Sequence, residues 1–329
     1  MSLTSLRDRV TMPEPKTLLR NPVVLSLLVL AALFLVGNVV APGFASYGSL
    51  LNTLRVAAFL GVIAAGQTVV ILGGGEGIDL SLGKIATFSA VIIAQVSQGE
   101  NDRLLLAILV ALAYCGLVGL ANGIGVAYLR IPPLVMTLGM VAVVTGIIRV
   151  YSGGQPEGRA PAVLSQIVNS STIGGVRGSV WIWLIVTVFT VWLLRRTTFG
   201  RRVYSLGANR EASYLTGISV QRNLVLLYVT ASLFAALGGI MIVGFTGAAS
   251  INIADQYQLI SIAAVVIGGT TLAGGIGGYL GTAIGAVVLQ TLTNLLVVLN
   301  IPAAGRQVVN GIILVVLLSL SGRQRRLRQ

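Results

Sequence analysis

RRTTFGRRVYSLGANREASYLTGISVQR, residues 195–222, is the longest polar interval of this chain that also carries dense positive charge. It holds Arg195, Arg196, Arg201, Arg202, Arg210 and Arg222, and long apolar runs lie on both sides of it. Within it, GANREASYLTG (207–217) reads as a short helix with its own punctuation. Asn209 is placed as N-cap, Glu211 sits in the first turn where the helix dipole favours an anion, and Gly217 is placed to end the helix. Ala208, Ala212 and Leu215 fall at the spacing of one apolar stripe. About two turns, roughly 10 Å of helix, are too short to be stable alone in water. Such an element makes sense if it docks into something; the competing reading is a solvated loop with incidental helical propensity.

The rest of the chain is a membrane sequence. Hydrophobic residues make up 55% of the 329 and charged ones 9%, against about a quarter charged in an ordinary soluble domain. The fold class that follows is all-α and polytopic. The net charge of +13 would suggest nucleic acid in a soluble chain, but its distribution follows the positive-inside rule, and no nucleic-acid partner is implied. A single cysteine, Cys115, excludes an internal disulfide. With no histidine at all, a zinc or haem site is disfavoured and no metal ligands are assigned. Residues 1–21 are polar and too long for a signal-peptide n-region. The apolar run after them suits an uncleaved span.

Ten candidate spans follow: 22–41, 55–73, 83–98, 103–128, 133–151, 179–195, 222–246, 257–273, 278–298 and 303–321. With the N-terminus inside, an even number returns the C-terminus inside. The inner segments then hold Arg7, Arg9, Lys16, Arg20, Lys84, Arg130, the six arginines of 195–222, Arg323, Arg325, Arg326 and Arg328. The outer segments hold Arg55, Arg103, Arg149, Arg159, Arg177 and Arg306. This imbalance puts residues 195–222 on the cytoplasmic side. The domain division expected is a cytoplasmic segment 1–21, a transmembrane domain 22–321 and a basic tail 322–329. The outer connection 152–178 is turn-like in SGGQPEGRAP.

Glycine, 41 residues, is concentrated inside the spans, where small residues let helix backbones approach closely. One cluster asks for more than packing. ILGGGEGIDLSLGK (71–84) places Glu76, Asp79 and Lys84 beside two apolar runs, and each charge at a bilayer centre costs roughly 2.5–3.5 kcal/mol. Either it is a cytoplasmic turn or an unwound segment lining a path in the protein interior. It is not a phosphate loop, because position 85 is Ile and no strand leads in. A second glycine break, IAAVVIGGTTLAGGIGG (262–278), has a similar layout, and paired breaks in two halves of a chain point to a transport site. Nothing supports catalysis: there is no histidine base, no nucleophile elbow and no facing carboxylate pair.

Several stretches together resemble the membrane subunit of bacterial ATP-binding-cassette importers of the ribose/sugar type. GGGEGIDLSLG (73–83), PPLVMTLGM (132–140), GRRVYSLGANREASYLTGISV (200–220), IAAVVIGGTTLAGGIGGYLGTAIGA (262–286) and GRQVVNGIILV (305–315) resemble that family's blocks, in order. The resemblance implies an importer-permease fold of about ten spans with glycine-broken helices, in the bacterial inner membrane with both termini cytoplasmic. It implies a second permease subunit, a periplasmic sugar-binding protein and a cytoplasmic ATPase that uses ATP and Mg, while this chain binds no cofactor. It also implies that Gly207, Asn209, Arg210, Glu211, Ala212, Ser213, Leu215 and Gly217 form the helix that docks on that ATPase, with Ser213 in place of the second alanine of the usual EAA pattern. A solute path would be bordered by Gly73, Gly74, Glu76, Asp79 and Ser81, by Thr137, and by Gly268, Gly269 and Thr270. Asp79 and Ser81 are alternatively good caps for the next helix. Two departures stand near those segments: Glu76 is additional to the usual block, and Gln258 stands where a Glu is common. The solute expected is a monosaccharide. The alternatives are a nucleoside, a branched-chain amino acid or a signalling molecule, or a self-sufficient secondary transporter.

Overall fold

The structure is a computed structural model that describes residues 22–326. Residues 1–21 and the last three residues of the basic tail lie outside the described residues. The described chain is helical throughout: α1 (Pro22–Val40), α2 (Tyr47–Leu72), α3 (Leu82–Ser97), α4 (Leu104–Ala127), α5 (Pro133–Ser152), α6 (Ala162–Asn169), α7 (Gly178–Arg196), α8 (Thr198–Ala208), α9 (Arg210–Leu215), α10 (Val220–Thr246), α11 (Tyr257–Ile267), α12 (Tyr279–Val298) and α13 (Ala303–Arg326). No strand occurs among the described residues.

Each of the ten expected spans coincides with an apolar helix. Among the described residues, seven of them are long and apolar enough to cross a bilayer, while those at Leu82–Ser97, Tyr257–Ile267 and Ala303–Val316 are shorter apolar stretches. The shortfall has a physical meaning at α3 and α11. Their 16 and 11 residues reach only about 24 and 16 Å, against a hydrocarbon core of about 30 Å. Each adjoins irregular backbone that is buried in part, at 79–81 before α3 and at Gly268 and Thr270 after α11, the condition under which broken helices are tolerated in a membrane.

Boundaries depart from the sequence reading in three places. The second span begins at Tyr47 rather than 55, capped by Ser46, whose side chain accepts from Ser49 N. Arg55, read as a charge outside the span, lies in its third turn because a neighbouring amide and an aromatic ring receive its guanidinium. The eighth span stops at Ile267 rather than 273, since Gly268 and Gly269 turn the chain back on the last carbonyls. The connection 152–178 contains α6, a two-turn helix that buries Leu164 and Val168, one turn apart, against Gly244 of α10.

Helices α2 and α10 form the centre. The apolar window of α2 is 83% buried and that of α10 is 67% buried. α10 packs along α4, α2 and α3, and α12 packs on α2, α11 and α1. Glycines make these approaches possible: a Cβ on Gly119 or Gly123 of α4 would run into the backbone of α10 at Tyr228 and Val225. The outer helices α1, α4, α5 and α7 bury only 11%, 28%, 22% and 33% of their apolar windows, as lipid-facing helices do.

Candidate functional site

The polar interval 195–222 folds as a helical pair. Thr197 caps α8, accepting from Gly200 N at 3.2 Å. Asn209 caps α9, its Oδ1 accepting from Ala212 N at 3.0 Å. Gly217, at φ +83°, ends α9, with its N–H donating to Tyr214 O. Asn209 is thus the N-cap as expected, while Thr216 is the C-cap and Gly217 the left-handed residue just after it. The helix itself is shorter, six residues, because Ala208 belongs to α8.

The orientation of α9 follows from one side chain. Ser213 is buried, and its Oγ pairs with Ser205 Oγ at 2.8 Å and donates to Asn209 O at 2.8 Å, clamping α9 on α8. The opposite face is bare. Leu215 is 79% and Tyr214 65% exposed, and Ala208, Glu211 and Ala212 are exposed as well. The stripe Ala208–Ala212–Leu215 thus faces away from the bundle, leaving an apolar face that nothing among the described residues covers.

Beneath α8–α9 both glycine breaks converge. Gly275 N donates to Leu72 O at 3.0 Å, joining the second break to the end of α2. Gly207 lies against both: a Cβ there would collide with Leu72 O and with Gly275 N. Gly74, at φ +71°, meets Gly207 on one side and Gly274 on the other. Two further bonds tie the pair down. Arg210 Nη2 donates to Gly74 O at 2.8 Å, and Tyr204 Oη donates to Gly277 O at 3.0 Å. Four glycine backbones stacked this closely leave no room for side chains, so a displacement of α8–α9 is transmitted to both breaks by direct contact.

The remaining residues expected to border a path are placed as follows. Gly73 caps α2, and Glu76 stands exposed at the tip of the first break with φ +61°. Asp79 and Ser81 are fully buried. Asp79 accepts from Ser81 N at 2.8 Å and from Ser81 Oγ, and Asn122 Nδ2 of α4 donates to Ser81 Oγ at 2.9 Å. Neither side chain makes the ordinary N-cap bond of α3; Asp79 instead fixes the turn before it. Thr137 of α5 accepts from Leu80 N at 3.1 Å. With its amide oriented to satisfy both groups, Gln67 spans the backbone N–H and C=O of Asp79. The unwound stretch 77–81 is thus pinned to α2, α4 and α5. In the second break, Gly268 packs on Gly281, Gly269 turns the chain, and Thr270 Oγ1 accepts from Gly278 N at 3.2 Å.

Sequence reasoning missed one group. Lys84, counted above among the cytoplasmic charges, is buried at the start of α3. Its Nζ pairs with Asp255 at 2.7 Å and donates to Asn252 Oδ1 at 3.1 Å and Ile251 O at 3.3 Å. Gly83 packs against Gln258 beside the pair. The beginnings of both short helices therefore meet through an ion pair inside the bundle, the kind of place where ionisable residues in a membrane protein carry function. Gln258 was the one signal in the sequence that marked this spot.

Comparison with known proteins agrees with this architecture. The Ribose import permease protein RbsC of Escherichia coli (strain K12) is 33% identical over 292 residues, 88% of this chain and 90% of that protein. The protein of the same name from Bacillus subtilis (strain 168) is 33% identical over 294 residues, 89% and 90% of the two chains. The Autoinducer 2 import system permease protein LsrC of Escherichia coli O9:H4 (strain HS) is 30% identical over 310 residues, 94% and 90%. No solved structure matches. Residues 49–318 match the family described as branched-chain amino acid transport system / permease component, and with relatives this similar along nearly its whole length the chain belongs to that family of transport permeases.

Proposed function

We propose that this chain is the membrane-spanning subunit of an ATP-driven importer that passes a small polar solute, a monosaccharide, across the bacterial inner membrane. The observation that carries this reading is the junction of Gly74, Gly207 and Gly275. It places α8, to which the exposed helix α9 is clamped through Ser213 and Ser205, in direct contact with both glycine breaks. In this reading α8–α9 faces the cytoplasm, both termini are cytoplasmic, and α9 docks on a separate ATPase that uses ATP and Mg. Closure of the ATPase pushes α9, and Arg210 and Gly207 carry the push to residues 73–81 and 267–275, which border the path. The bundle then shifts between outward- and inward-open populations. A second permease subunit completes the path, and a periplasmic binding protein delivers the solute. Relatives named for ribose import support a sugar, and one named for autoinducer 2 import supports a signalling molecule as the alternative solute class.

One observation favours a second reading. A self-sufficient carrier driven by an ion gradient would use buried charges such as Lys84 and Asp255, whereas it would leave the bare face of α9 without a purpose. Reconstitution separates the two. Proteoliposomes holding the permease, its ATPase and its binding protein are expected to take up a sugar only with ATP, and the sugars that raise ATP hydrolysis identify the solute. Uptake by the permease alone, driven by an ion gradient, would reject the importer reading.

A further inference from the structure

The buried Lys84 does more than join two short helices. An ammonium group has three hydrogens to donate, and Lys84 Nζ has three acceptors: Asp255 Oδ2 at 2.7 Å, Asn252 Oδ1 at 3.1 Å and Ile251 O at 3.3 Å. Its donors are thereby spent on holding Asp255 and Asn252 in place. The backbone behind them is fixed as well. Ala254 N donates to Thr87 Oγ1 of α3 at 3.2 Å. A Cβ on Gly83 would stand 3.0 Å from Ala254 O and 3.1 Å from Gln258 Cβ, so α3 and the start of α11 touch directly.

Several polar groups of this cluster are left over. Asn252 is exposed, the Asp255 side chain is 37% exposed, and Gln258 is half-buried one turn further on. Among the described residues no hydrogen bond engages Asn252 Nδ2 or the side-chain amide of Gln258, and Asp255 Oδ1 has no partner either. That oxygen is closed off in this rotamer, but χ2 of an aspartate is a soft torsion, and a turn about it brings either oxygen to the open side. The cluster also lies deep. From Lys84 to Ser97, whose Oγ donates to Arg159 O of the 152–178 connection, is about 20 Å along α3. Gly247, at the end of α10, meets the same connection through Ala160 N. Residues 247–255 therefore run from that end of the bundle inward, and polar side chains at such a depth face protein or a water-filled path rather than lipid.

This arrangement suits a neutral solute rich in hydroxyls. The charges of Lys84 and Asp255 already balance, so a solute with charges of its own gains no partner for them here. A hydroxyl both donates and accepts. It finds an acceptor in the Asp255 carboxylate, a donor in Asn252 Nδ2 and both in the Gln258 amide. Polar groups left unpaired when a solute closes over them are costly, so such a site rejects molecules without matching hydroxyls.

We propose that Asn252, Asp255 and Gln258 form a solute-reading site on the translocation path, where a monosaccharide bonds through neighbouring hydroxyls while Lys84 positions the carboxylate from behind. The inference rests on the importer reading and names its solute class. It leaves the glycine breaks as the moving parts and puts recognition where α3 and α11 begin.

The test uses the permease assembled with its ATPase and the binding protein encoded beside it. Uptake driven by ATP is measured first for ribose, arabinose, xylose and galactose. Leu259, 47% exposed and one turn from Asp255, then serves as reporter. Leu259→Cys is modified with a methanethiosulfonate reagent during ATP hydrolysis, with and without the sugar that is taken up, or with leucine or adenosine. The sugar is expected to slow modification at least about tenfold, and leucine and adenosine to leave it unchanged. In the same background, Gln258→Leu should lose the protection, and Gln258→Glu should recover part of it. Asn252→Asp, which keeps an oxygen for Lys84 and removes the Nδ2 donor, should lose it too. The Tm of each variant shows that it is folded. Protection that persists in both Gln258→Leu and Asn252→Asp overturns the inference alone. So does protection by leucine or adenosine without protection by the sugar. A reporter that no reagent reaches in the working complex shows this face closed by the second subunit, and overturns it as well. Absence of ATP-driven uptake for every sugar rejects the importer reading, and this inference with it.

Discussion

The guanidinium of Arg210 donates to the carbonyl oxygen of Gly74 at 2.8 Å, although the two residues are 136 positions apart in the chain. One sits in the short helix α9, whose other face is bare, and the other in the break that ends α2. A Cβ on the adjacent Gly75 would strike that same guanidinium, so the bond is enclosed by backbone on the Gly74 side. Arg210 was read from sequence as one of six like charges in a polar loop. In the structure it is the charge that turns inward.

Removing this bond is expected to weaken transmission while leaving docking in place. Arg210→Ala loses a charge-assisted hydrogen bond of about 1.5–3 kcal/mol. The ratio of solute taken up to ATP hydrolysed should fall about tenfold, with Arg210→Lys recovering part of it. Uptake per ATP that matches the unaltered complex in Arg210→Ala would show that the bond carries no force.

The exposed face of α9 makes a different prediction. Glu211→Ala and Leu215→Ser remove side chains that stand exposed among the described residues, so thermal stability of the isolated permease should stay within about 0.5 kcal/mol. Stimulated ATP hydrolysis and co-purification of the ATPase should both drop. Gly217→Val adds a backbone penalty of about 1–2 kcal/mol at φ +83° and should disorder the end of the helix, with the same uncoupling.

At the junction itself there is no space to give. Gly207→Ala sets a methyl group against Leu72 O and the Gly275 backbone, and overpacking of this kind costs about 1–3 kcal/mol. A lower Tm in detergent is the expected result. Gly139→Ala, where nothing lies within 4 Å of the new atom, is the control and should leave Tm unchanged.

Breaking the Lys84–Asp255 pair strands a charge inside the bundle. Asp255→Asn is expected to cost about 3 kcal/mol, at the low end for a buried pair because the Asp255 side chain is 37% exposed. Lys84→Met alone should cost similarly, and the two changes together less than their sum. A double-variant cycle on thermal unfolding reads this coupling directly.

Orientation is checked by labelling. Cysteine at Leu215 should react only with a reagent supplied from the cytoplasmic side, and cysteine at Ile173, 86% exposed, only from outside. The native Cys115 is buried and gives no background. Labelling of Leu215→Cys from outside would invert the arrangement and remove the basis for docking.

Much of this molecule was legible locally. The apolar runs announced ten helices because transfer of apolar side chains out of water is additive along a segment and leaves its mark in composition. Asn209 and Gly217 announced the ends of α9 because capping bonds reach only a few residues. Glu76 and Asp79 beside four glycines announced that a helix stops. Where the reading slipped, a distant partner was the cause. Arg55 was taken as a span boundary because no sequence pattern reveals Asn169 and Phe245 waiting for it. The helix α6 was read as turn because its two buried residues make sense only against Gly244.

By itself, then, the sequence determined an all-helical membrane chain with two glycine interruptions and a capped helix in its most basic loop. All of that is written in hydrophobicity, helix period and end signals, which act over one or two turns. Only the tertiary structure decided that the two interruptions meet under Gly207, that Asn122 reaches Ser81 from 41 residues away, and that Lys84 finds Asp255 171 residues away. These contacts join residues far apart in the chain, and they form when packed helices bring backbones close enough to exclude every side chain but hydrogen.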